Sequence, residues 1–214
     1  MHGQSLRGAA YPVCLALGCA TGEDIVALHL EIGRIIALEP GHGFWRSSIG
    51  GVPADYREPS ADGIINLADE SVDLVVAIGV LHHIPNVETV VAELARVLKP
   101  GGSAIIREPV ISMGDFTKPR RGLTRNERGI PIRLLASYME KARLRIDYRG
   151  FCDCPLITRP VQKLGLKPFN YPVLVWLDAL ASRLTAWNLR YWRSKPWHKL
   201  APTSAFFVSR KIGG

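Results

Sequence analysis

The stretch Val13–Asp24 reads VCLALGCATGED, an apolar run that gives way to small residues at positions 18 to 22. The apolar run predicts a strand buried on both faces, and the apolar residues of 25–28 (IVAL) predict the start of a helix. Glycine at 18 and 22 allows backbone conformations and a close approach of ligand that a side chain would block. A strand, a tight turn and a helix start in this order predict a loop that binds a nucleotide-like ligand.

Three further apolar runs predict strands of the same buried type, Arg34–Glu39 (RIIALE), Asp73–Ile78 (DLVVAI) and Ser103–Glu108 (SAIIRE). Between the last two, the apolar residues of Val87–Leu98 recur at helical spacing until Lys99–Gly102 (KPGG) ends the helix. Strands that alternate with helices predict a parallel, doubly wound α/β sheet.

Glu39, at the end of the second predicted strand, is a candidate ligand-binding side chain. It follows Gly18 by about 20 residues, the offset at which an acid meets a pair of ribose hydroxyls. A dehydrogenase would need G-x-G-x-x-G after the first strand, whereas this chain has glycine, alanine and glycine at positions 18, 20 and 22. A dehydrogenase would also leave the histidine pair at 82 and 83 unexplained.

Several segments together resemble the class I S-adenosylmethionine-dependent methyltransferases, a Rossmann-like superfamily, in its small-molecule type. The resemblance covers residues 1–110 and returns at the carboxyl end. It implies S-adenosylmethionine as cofactor, S-adenosylhomocysteine as product, and a mostly parallel, doubly wound seven-stranded sheet whose last strand is antiparallel. The matching segments are Leu17–Gly22 (LGCATG), Ala37–Pro40 (ALEP), Ala61–Asp62 (AD), Ser71–Val76 (SVDLVV), Leu81–Ile84 (LHHI) and Leu94–Gly102 (LARVLKPGG).

The resemblance implies, position by position, which residues hold the cofactor. The backbone of the glycine turn would face the methionine part, Glu39 the ribose hydroxyls and Asp62 the adenine amino group. Gly79 has no side chain to block the methyl channel. The predicted cofactor-binding residues are Gly18, Cys19, Ala20, Gly22, Glu39, Pro40, Asp62 and Gly79. No metal ligand is predicted.

The histidine pair is the candidate catalytic site. Methyl transfer from a sulfonium is an in-line displacement that mainly requires alignment and the exclusion of water. If the acceptor is a hydroxyl, a base with a near-neutral pKa helps, and His82 or His83, at the exit of the fourth strand of the resembling fold, is the predicted base. In the alternative, one imidazole packs on the cofactor or caps the turn. Glu108 and Asp115, at the next strand exit, are candidates for orienting the acceptor.

Two departures from the family pattern bear on function. Ala16 stands where the resemblance implies an acid that helps to hold the cofactor's ammonium group, a role that Glu23 or Asp24 could take over through water. The first predicted strand already begins at Val13, so the helices that the resemblance implies before it are missing from this sequence, or a cover comes from elsewhere. These departures keep open a binding protein that retains the fold without catalysis.

Charge divides the chain into an acidic and a basic half. We predict a single methyltransferase domain over 1–214, with a cofactor-binding half at 1–110 and a substrate-side elaboration at 111–214. The first half has 7 Lys and Arg against 13 Asp and Glu, and the second 20 against 6, which together give the net charge of +8. The basic half favours an anionic acceptor. It also permits nucleic acid, although the chain has no base-methylating N-P-P-Y-like motif.

Residues of about 155–200 form a predicted helical insertion before the last strand. Its stripe of apolar residues at helical spacing has three candidate roles: packing onto the domain, forming a substrate lid or dimer face, or docking at a membrane surface. The run is too short and too interrupted by charge to cross a bilayer. The stripe consists of Val173, Leu177, Leu180, Leu184, Trp187 and Tyr191.

Localisation is predicted to be cytoplasmic. The start of the chain, Met1–Arg7, lacks the apolar core of a signal peptide. The Cys152-x-Cys154 pair lacks zinc-site spacing, so reduced thiols are favoured.

The sequence thus predicts methyl transfer from S-adenosylmethionine to a hydroxyl, amine or carbon of a small molecule or glycan, with an anionic or lipid-linked acceptor among the candidates. The alternatives are an RNA methyltransferase and a catalytically impaired binding protein. Oligomeric state is left open.

Overall fold

A computed structural model describes residues 9–115, 117–124 and 126–213. The predicted absence of a signal peptide at Met1–Arg7, and Arg125 of the basic half, lie outside the described residues.

Eight strands form one sheet, in the spatial order β3-β4-β2-β1-β5-β6-β8-β7. All neighbours from β4 to β6 are parallel, whereas β8 is antiparallel to both β6 and β7. This confirms the predicted doubly wound α/β class with an antiparallel last strand. The strands are β1 (Ala10–Leu17), β2 (Glu31–Leu38), β3 (Ser48–Ile49), β4 (Val52–Arg57), β5 (Val72–Ile78), β6 (Leu98–Pro109), β7 (Leu144–Cys152) and β8 (Ser204–Lys211).

The sheet has one strand more than the seven predicted. The addition is β3, which contributes two residues and pairs antiparallel with β4 at the sheet edge. Gly50 and Gly51 connect the two strands with positive φ values of +57° and +85°, the conformation in which glycine makes a tight turn without strain.

Five α-helices and five short 3-10 helices complete the described fold. The segment between β7 and β8 is helical, which confirms the predicted insertion. The α-helices are α1 (Glu23–Val26), α2 (Val87–Val97), α3 (Ile132–Lys141), α4 (Pro155–Lys163) and α5 (Pro172–Thr185). The 3-10 helices cover His42–Phe44, Leu81–His83, Pro168–Asn170, Ala186–Asn188 and Pro196–Leu200.

Burial on both faces explains why the central strands have continuous apolar runs. In β1, Leu15 and Leu17 pack on one face with residues of α2 and α3, and Cys14 and Ala16 pack on the other with Ile25 of α1. Each face removes apolar side chains from water, which is the main stabilising contribution to such a core.

The strand directions bring the predicted site segments to one edge of the sheet. Because β1, β2, β5 and β6 are parallel, their carboxyl ends at Leu17, Leu38, Ile78 and Pro109 lie at the same edge. The strand β7 also runs parallel to β6, since both are antiparallel to β8. The helical insertion therefore leaves the sheet at the edge where ligands bind in such folds.

The apolar stripe of the insertion does not pack onto the domain as the first hypothesis expected. Of its residues, Val173, Leu180, Leu184 and Trp187 are exposed, while Leu177 and Tyr191 are partly buried. Among the described residues, every helix is too short or too polar to cross a membrane.

Candidate cofactor and acceptor site

The glycine turn after β1 packs directly against the exit of β5. Gly18 adopts a φ of +59°, and a Cβ at this position would lie 2.3 Å from Cγ2 of Val80. Its N–H donates to the carbonyl of Leu38 at the end of β2 (2.8 Å). Gly22 has a φ of +81°, and a Cβ there would meet Ile49 of β3 at 2.4 Å. Both turn glycines are therefore required by conformation and by space.

Glu39 holds the glycine turn in place. Its side chain is buried; Oε2 accepts a hydrogen bond from the N–H of Ala20 (2.9 Å) and Oε1 accepts one from the N–H of Gly41 (2.8 Å). The hydroxyl of Tyr56 donates to the carbonyl of Ala20 (2.8 Å). Each carboxylate oxygen can accept more than one hydrogen bond, so both remain chemically able to accept from ribose hydroxyls.

The cysteines near the turn are not poised as nucleophiles. Burial raises the pKa of Cys19 to about 11 and that of Cys14 to about 12. Both thiols are therefore protonated at neutral pH, and only a thiolate is nucleophilic. Cys19 contributes to the turn through its backbone, since its carbonyl accepts a hydrogen bond from the N–H of Gly22 (2.7 Å). Ala16, which stands where the resemblance implies an acid, is fully buried within β1.

A cavity of about 300 Å³ opens at the carboxyl ends of β1 and β2. It connects these strand ends with His83, and its apolar walls suit a flat heteroaromatic ring. Of the predicted site residues, Pro40 and His83 are in its wall. The lining is Leu17, Leu38, Pro40, Pro59, Ser60, Ala61, Gly63, Ile64, Ile65, His83, Ile84, Pro85, Asn86 and Val90.

Asp62 lies beside this cavity but not in its lining. Its Oδ1 accepts hydrogen bonds from the hydroxyl of Ser60 (2.6 Å) and the N–H of Ile64 (3.0 Å). These bonds hold the pKa of the Asp62 carboxyl below its usual value. In this structure the exposed carboxylate closes the turn 60–64, and the adjacent Ala61 and Gly63 line the cavity.

His82 is fixed by a buried carboxylate at the exit of β5. Its Nδ1 lies 2.7 Å from Oε2 of Glu108, which is fully buried in β6. The same carboxylate accepts hydrogen bonds from the N–H groups of Val80 (2.9 Å), Leu81 (2.7 Å) and His82 (3.3 Å). Glu108 thus positions the turn and the imidazole from behind, and its carboxylate, a candidate for orienting the acceptor, is fully buried in this structure.

His83 turns toward the loop that follows β6. Its Nδ1 lies 3.3 Å from the hydroxyl oxygen of Thr124 and 3.6 Å from Oε2 of Glu127. The ring centroids of the two histidines are 4.0 Å apart. Partial burial of its ring, with His82 beside it, holds the pKa of His83 below its usual value. His83 is therefore neutral at pH 7 and can accept a proton.

Glu127 is a site residue that the sequence analysis missed. Its Oε2 accepts hydrogen bonds from the N–H (2.9 Å) and the hydroxyl (3.3 Å) of Thr124, and this places it against His83. Ligand atoms of His82, His83 and Glu127 lie within 4.8 Å of one another. No spacing pattern links these positions, because the loop path brings Glu127 back to the histidines.

The remaining predicted residues are Gly79 and Asp115. Gly79 has a φ of +66°, and the nearest heavy atom to a Cβ there would be Cε1 of His82 at 4.0 Å. Space beside His82 is therefore open at this point. Asp115 is exposed, and its Oδ1 accepts hydrogen bonds from the backbone N–H (3.0 Å) and the hydroxyl (2.6 Å) of Thr117. Its carboxylate is engaged in its own loop.

Comparison with known proteins finds sequence similarity in the amino-terminal half. Residues 15–106 match the sequence model of a family described as a methyltransferase domain. This match covers less than half of the chain and shows that residues 15–106 are similar to a methyltransferase domain. The ubiquinone biosynthesis O-methyltransferase of Hahella chejuensis is 33% identical over 92 residues, which are 41% of this chain and 34% of that protein. The protein of the same name from Stutzerimonas stutzeri is 31% identical over 93 residues, 42% of this chain and 36% of that protein.

Solved structures extend the likeness of the methyltransferase domain to the whole fold. The S-adenosylmethionine-dependent methyltransferase of Mesorhizobium loti superposes with a TM-score of 0.60 at 15% identity, covering 97% of this chain and 96% of that one. The [4+2]-cyclase SpnF superposes with a TM-score of 0.61 at 18% identity, covering 99% and 79%. At these identities the likeness is one of fold. The chain spans about a third of the length of the two curated relatives.

Proposed function

We propose that this protein transfers the methyl group of S-adenosylmethionine to a hydroxyl oxygen of a small, lipid-soluble acceptor. One observation carries the proposal. His83, whose lowered pKa keeps it neutral, lines the same cavity as Leu17, Leu38 and Pro40 at the carboxyl ends of β1 and β2. A base thus lies beside the place where this fold class holds its nucleotide.

The residues fit this cofactor in chemistry and in space. The apolar cavity suits the adenine ring, the buried Glu39 offers oxygens to ribose hydroxyls, and Gly79 leaves space next to His82. When bound, S-adenosylmethionine supplies an electrophilic methyl group on a sulfonium. Gly18, Cys19, Ala20 and Gly22 would contribute backbone to the methionine part, and Asp62 would contact the adenine only if the turn it closes rearranges.

The protein's own part is alignment and proton transfer. The bound sulfonium would supply its methyl carbon to the acceptor oxygen and would keep the electron pair of the broken carbon–sulfur bond. The hydroxyl proton passes to a free nitrogen of His83, and Glu127 at 3.6 Å stabilises the resulting imidazolium. Glu108 holds His82 and the turn so that the two rings keep their places.

The acceptor class rests on the relatives and on the carboxyl-terminal half. Both named relatives are ubiquinone biosynthesis O-methyltransferases, so a ring hydroxyl on a lipid-soluble molecule is the acceptor to test. The basic charge of residues 111–214 suits an additional anionic group on that acceptor. Amine, carbon and glycan acceptors have no support from the names of these relatives.

We also propose that the protein is cytoplasmic and catalytically active. Cys14, Cys19, Cys152 and Cys154 are free thiols, which suits a reducing, cytoplasmic compartment. A binding protein that retains the fold is the second candidate, favoured by the buried Ala16 in place of an acid. Transfer of a labelled methyl group to an acceptor distinguishes an active enzyme from a binding protein.

The experiment is a methyl-transfer assay with radiolabelled S-adenosylmethionine. Three matched acceptors are compared: a catechol with an isoprenoid tail, the same ring with an amine in place of the reacting hydroxyl, and the tailless catechol. We expect labelled product with the tailed catechol, less with the tailless one, and none with the amine. Tight cofactor binding without label transfer to any hydroxyl acceptor would favour the binding protein.

A further inference from the structure

The insertion between β7 and β8 exposes the chain's large apolar side chains to an unusual degree. Four of the five tryptophans lie in it, and all four are more than half exposed. Buried tryptophan is the ordinary state in a folded domain. The exposed fractions are 63% for Trp176, 77% for Trp187, 61% for Trp192 and 52% for Trp197.

Helix α5 faces the domain with its polar side. The residues that it buries are Asp178 and Ser182, whereas most of its large apolar residues are exposed. Asp178 fixes this orientation, because its two carboxylate oxygens accept hydrogen bonds from the N–H groups of Asp153 (2.9 Å) and Cys154 (2.7 Å) at the start of the insertion. The exposed apolar residues of α5 are Val173, Val175, Trp176, Leu180 and Leu184.

The charge of the insertion is almost entirely of one sign. Between residues 155 and 200 the only acid is Asp178, whose carboxylate is taken up by the backbone. Seven basic residues there are exposed, and the ammonium group of Lys195 lies 5.1 Å from the centre of the Trp197 ring. The exposed basic residues are Arg159, Lys163, Lys167, Arg183, Arg190, Lys195 and Lys199.

This combination selects one kind of partner. Exposed tryptophan and leucine interleaved with lysine and arginine is the composition of a helix that lies in the interface of a bilayer. A second copy of the chain would bring the same positive charge against itself. A nucleic acid would match the charge but not an exposed surface of Val173, Leu180 and Leu184.

We propose that the insertion, Pro155 to Leu200, docks the protein on an anionic lipid surface. Its tryptophans and the apolar face of α5 enter the headgroup region, and its lysines and arginines contact the lipid phosphates. A groove between β7 and α5, lined by Arg149, Trp176 and Arg183, offers a place for one headgroup. The docking itself needs no catalysis.

Docking would present the acceptor side of the site to the bilayer. The hydroxyl of Tyr191 donates to the carbonyl of Gly129 (2.9 Å), and the N–H of Ser112 donates to the carbonyl of Tyr191 (2.8 Å). The insertion is thus joined to the loop that carries Glu127. This step rests on the proposed function, since only a lipid-soluble acceptor would gain from it.

The test is co-sedimentation of the full chain with vesicles, without cofactor or acceptor. One set is phosphatidylcholine alone and the other contains a third phosphatidylglycerol. We expect binding to the anionic vesicles that weakens with salt, little binding to the neutral ones, and a blue shift of tryptophan fluorescence on binding. Absence of binding to anionic vesicles at low salt overturns the proposal.

Variants locate the contact. Trp176→Gln with Trp187→Gln, and separately Lys163→Glu with Lys167→Glu, should each lower the partition coefficient about tenfold or more. The matched controls are Ile212→Gln and Arg34→Glu, exposed residues outside the insertion, which should change it less than about twofold. Equal effects of insertion and control variants overturn the proposal.

Two further measurements separate this proposal from the others. Calorimetry with S-adenosylhomocysteine should give the same affinity for the insertion variants as for the unaltered chain, so a failed cofactor site and a failed docking surface are distinguishable. Sedimentation equilibrium tests the alternative that the insertion binds a second copy of the chain. A dimer that the two tryptophan substitutions dissociate, together with no vesicle binding, would assign the surface to self-association instead.

Discussion

Glu108 and His82 form a buried pair in which Oε2 of the carboxylate lies 2.7 Å from Nδ1 of the imidazole. The glutamate also accepts three backbone N–H groups of the turn that carries both histidines. Glu108 of β6 therefore positions His82 and the turn that carries His83, which follows the end of the neighbouring strand β5.

Replacing that carboxylate should destabilise the protein. In Glu108→Gln, an amide NH₂ would face donors that now meet an oxygen, so we expect the free energy of unfolding to fall by about 2 kcal/mol. Urea denaturation measures this. Glu88→Gln, at an exposed residue paired with Lys141, is the control and should cost less than about 0.5 kcal/mol. Equal effects of the two substitutions would show that the buried pair does not hold the turn.

The pH dependence of methyl transfer should report His83. Burial and the adjacent His82 lower the pKa of His83, while Glu127 and Glu108 act in the opposite sense. A base with a lowered pKa stays neutral to lower pH, so kcat/KM should be level above pH ~7 and fall about tenfold per unit well below the pKa of His83.

Substitution tests this assignment. His83→Gln should remove the acid limb and lower kcat by about 10²- to 10⁴-fold, whereas His29→Asn, at an exposed histidine, should leave the profile unchanged. If the acid limb of the pH profile persists in His83→Gln, another group acts as the base, and His82 is the next residue to test.

The glycine turn allows steric crowding to be separated from backbone strain. Gly18→Ala would place a methyl group 2.3 Å from Cγ2 of Val80 at a φ of +59°. Gly51→Ala meets a similar positive φ of +85° with no heavy atom within 4 Å. We expect a loss of about 1 kcal/mol of stability for Gly51→Ala, a larger loss for Gly18→Ala, and weakened cofactor binding only in the latter. Equal losses would mean that the turn is not packed against Val80.

Chelation should leave activity unchanged. Ligand atoms of His82, His83 and Glu127 lie within 4.8 Å of one another, but zinc ligands at about 2.0–2.1 Å in tetrahedral geometry lie only about 3.4 Å apart. The carboxylates of Glu108 and Glu127 are already engaged in hydrogen bonds. Turnover is measured after dialysis against EDTA, and a loss that added Zn²⁺ restores would establish a metal site here.

The sheet could be predicted from the sequence because parallel strands buried on both faces carry continuous apolar runs. The position of Glu39 at the end of β2, against the glycine turn, could be predicted because the strand end and the turn fix its distance along the chain. The strand β3 could not be predicted, because its two residues are too few to show an alternating pattern of apolar and polar side chains. Its position at the sheet edge depends on the neighbouring β4.

Contacts made by loops and the direction of helices were beyond sequence reasoning. Glu127 reaches His83 through the path of the loop after β6, which no motif marks. The periodicity of α5 revealed an apolar stripe but not its direction, because the hydrogen bonds of Asp178 turn that stripe outward. Glu108 was recognised as a strand end, yet its burial behind His82 depends on the register of β5 and β6.

The most direct test of the cofactor site is calorimetry of S-adenosylmethionine and S-adenosylhomocysteine binding to the unaltered chain, Glu39→Ala and Glu31→Ala. Glu31 is an exposed glutamate at the start of the same strand β2. We expect micromolar binding to the unaltered chain and to Glu31→Ala, and a loss of at least ~1 kcal/mol, about fivefold in affinity, for Glu39→Ala. No detectable binding to the unaltered chain, or equal affinities for the two variants, would contradict the assignment of this site.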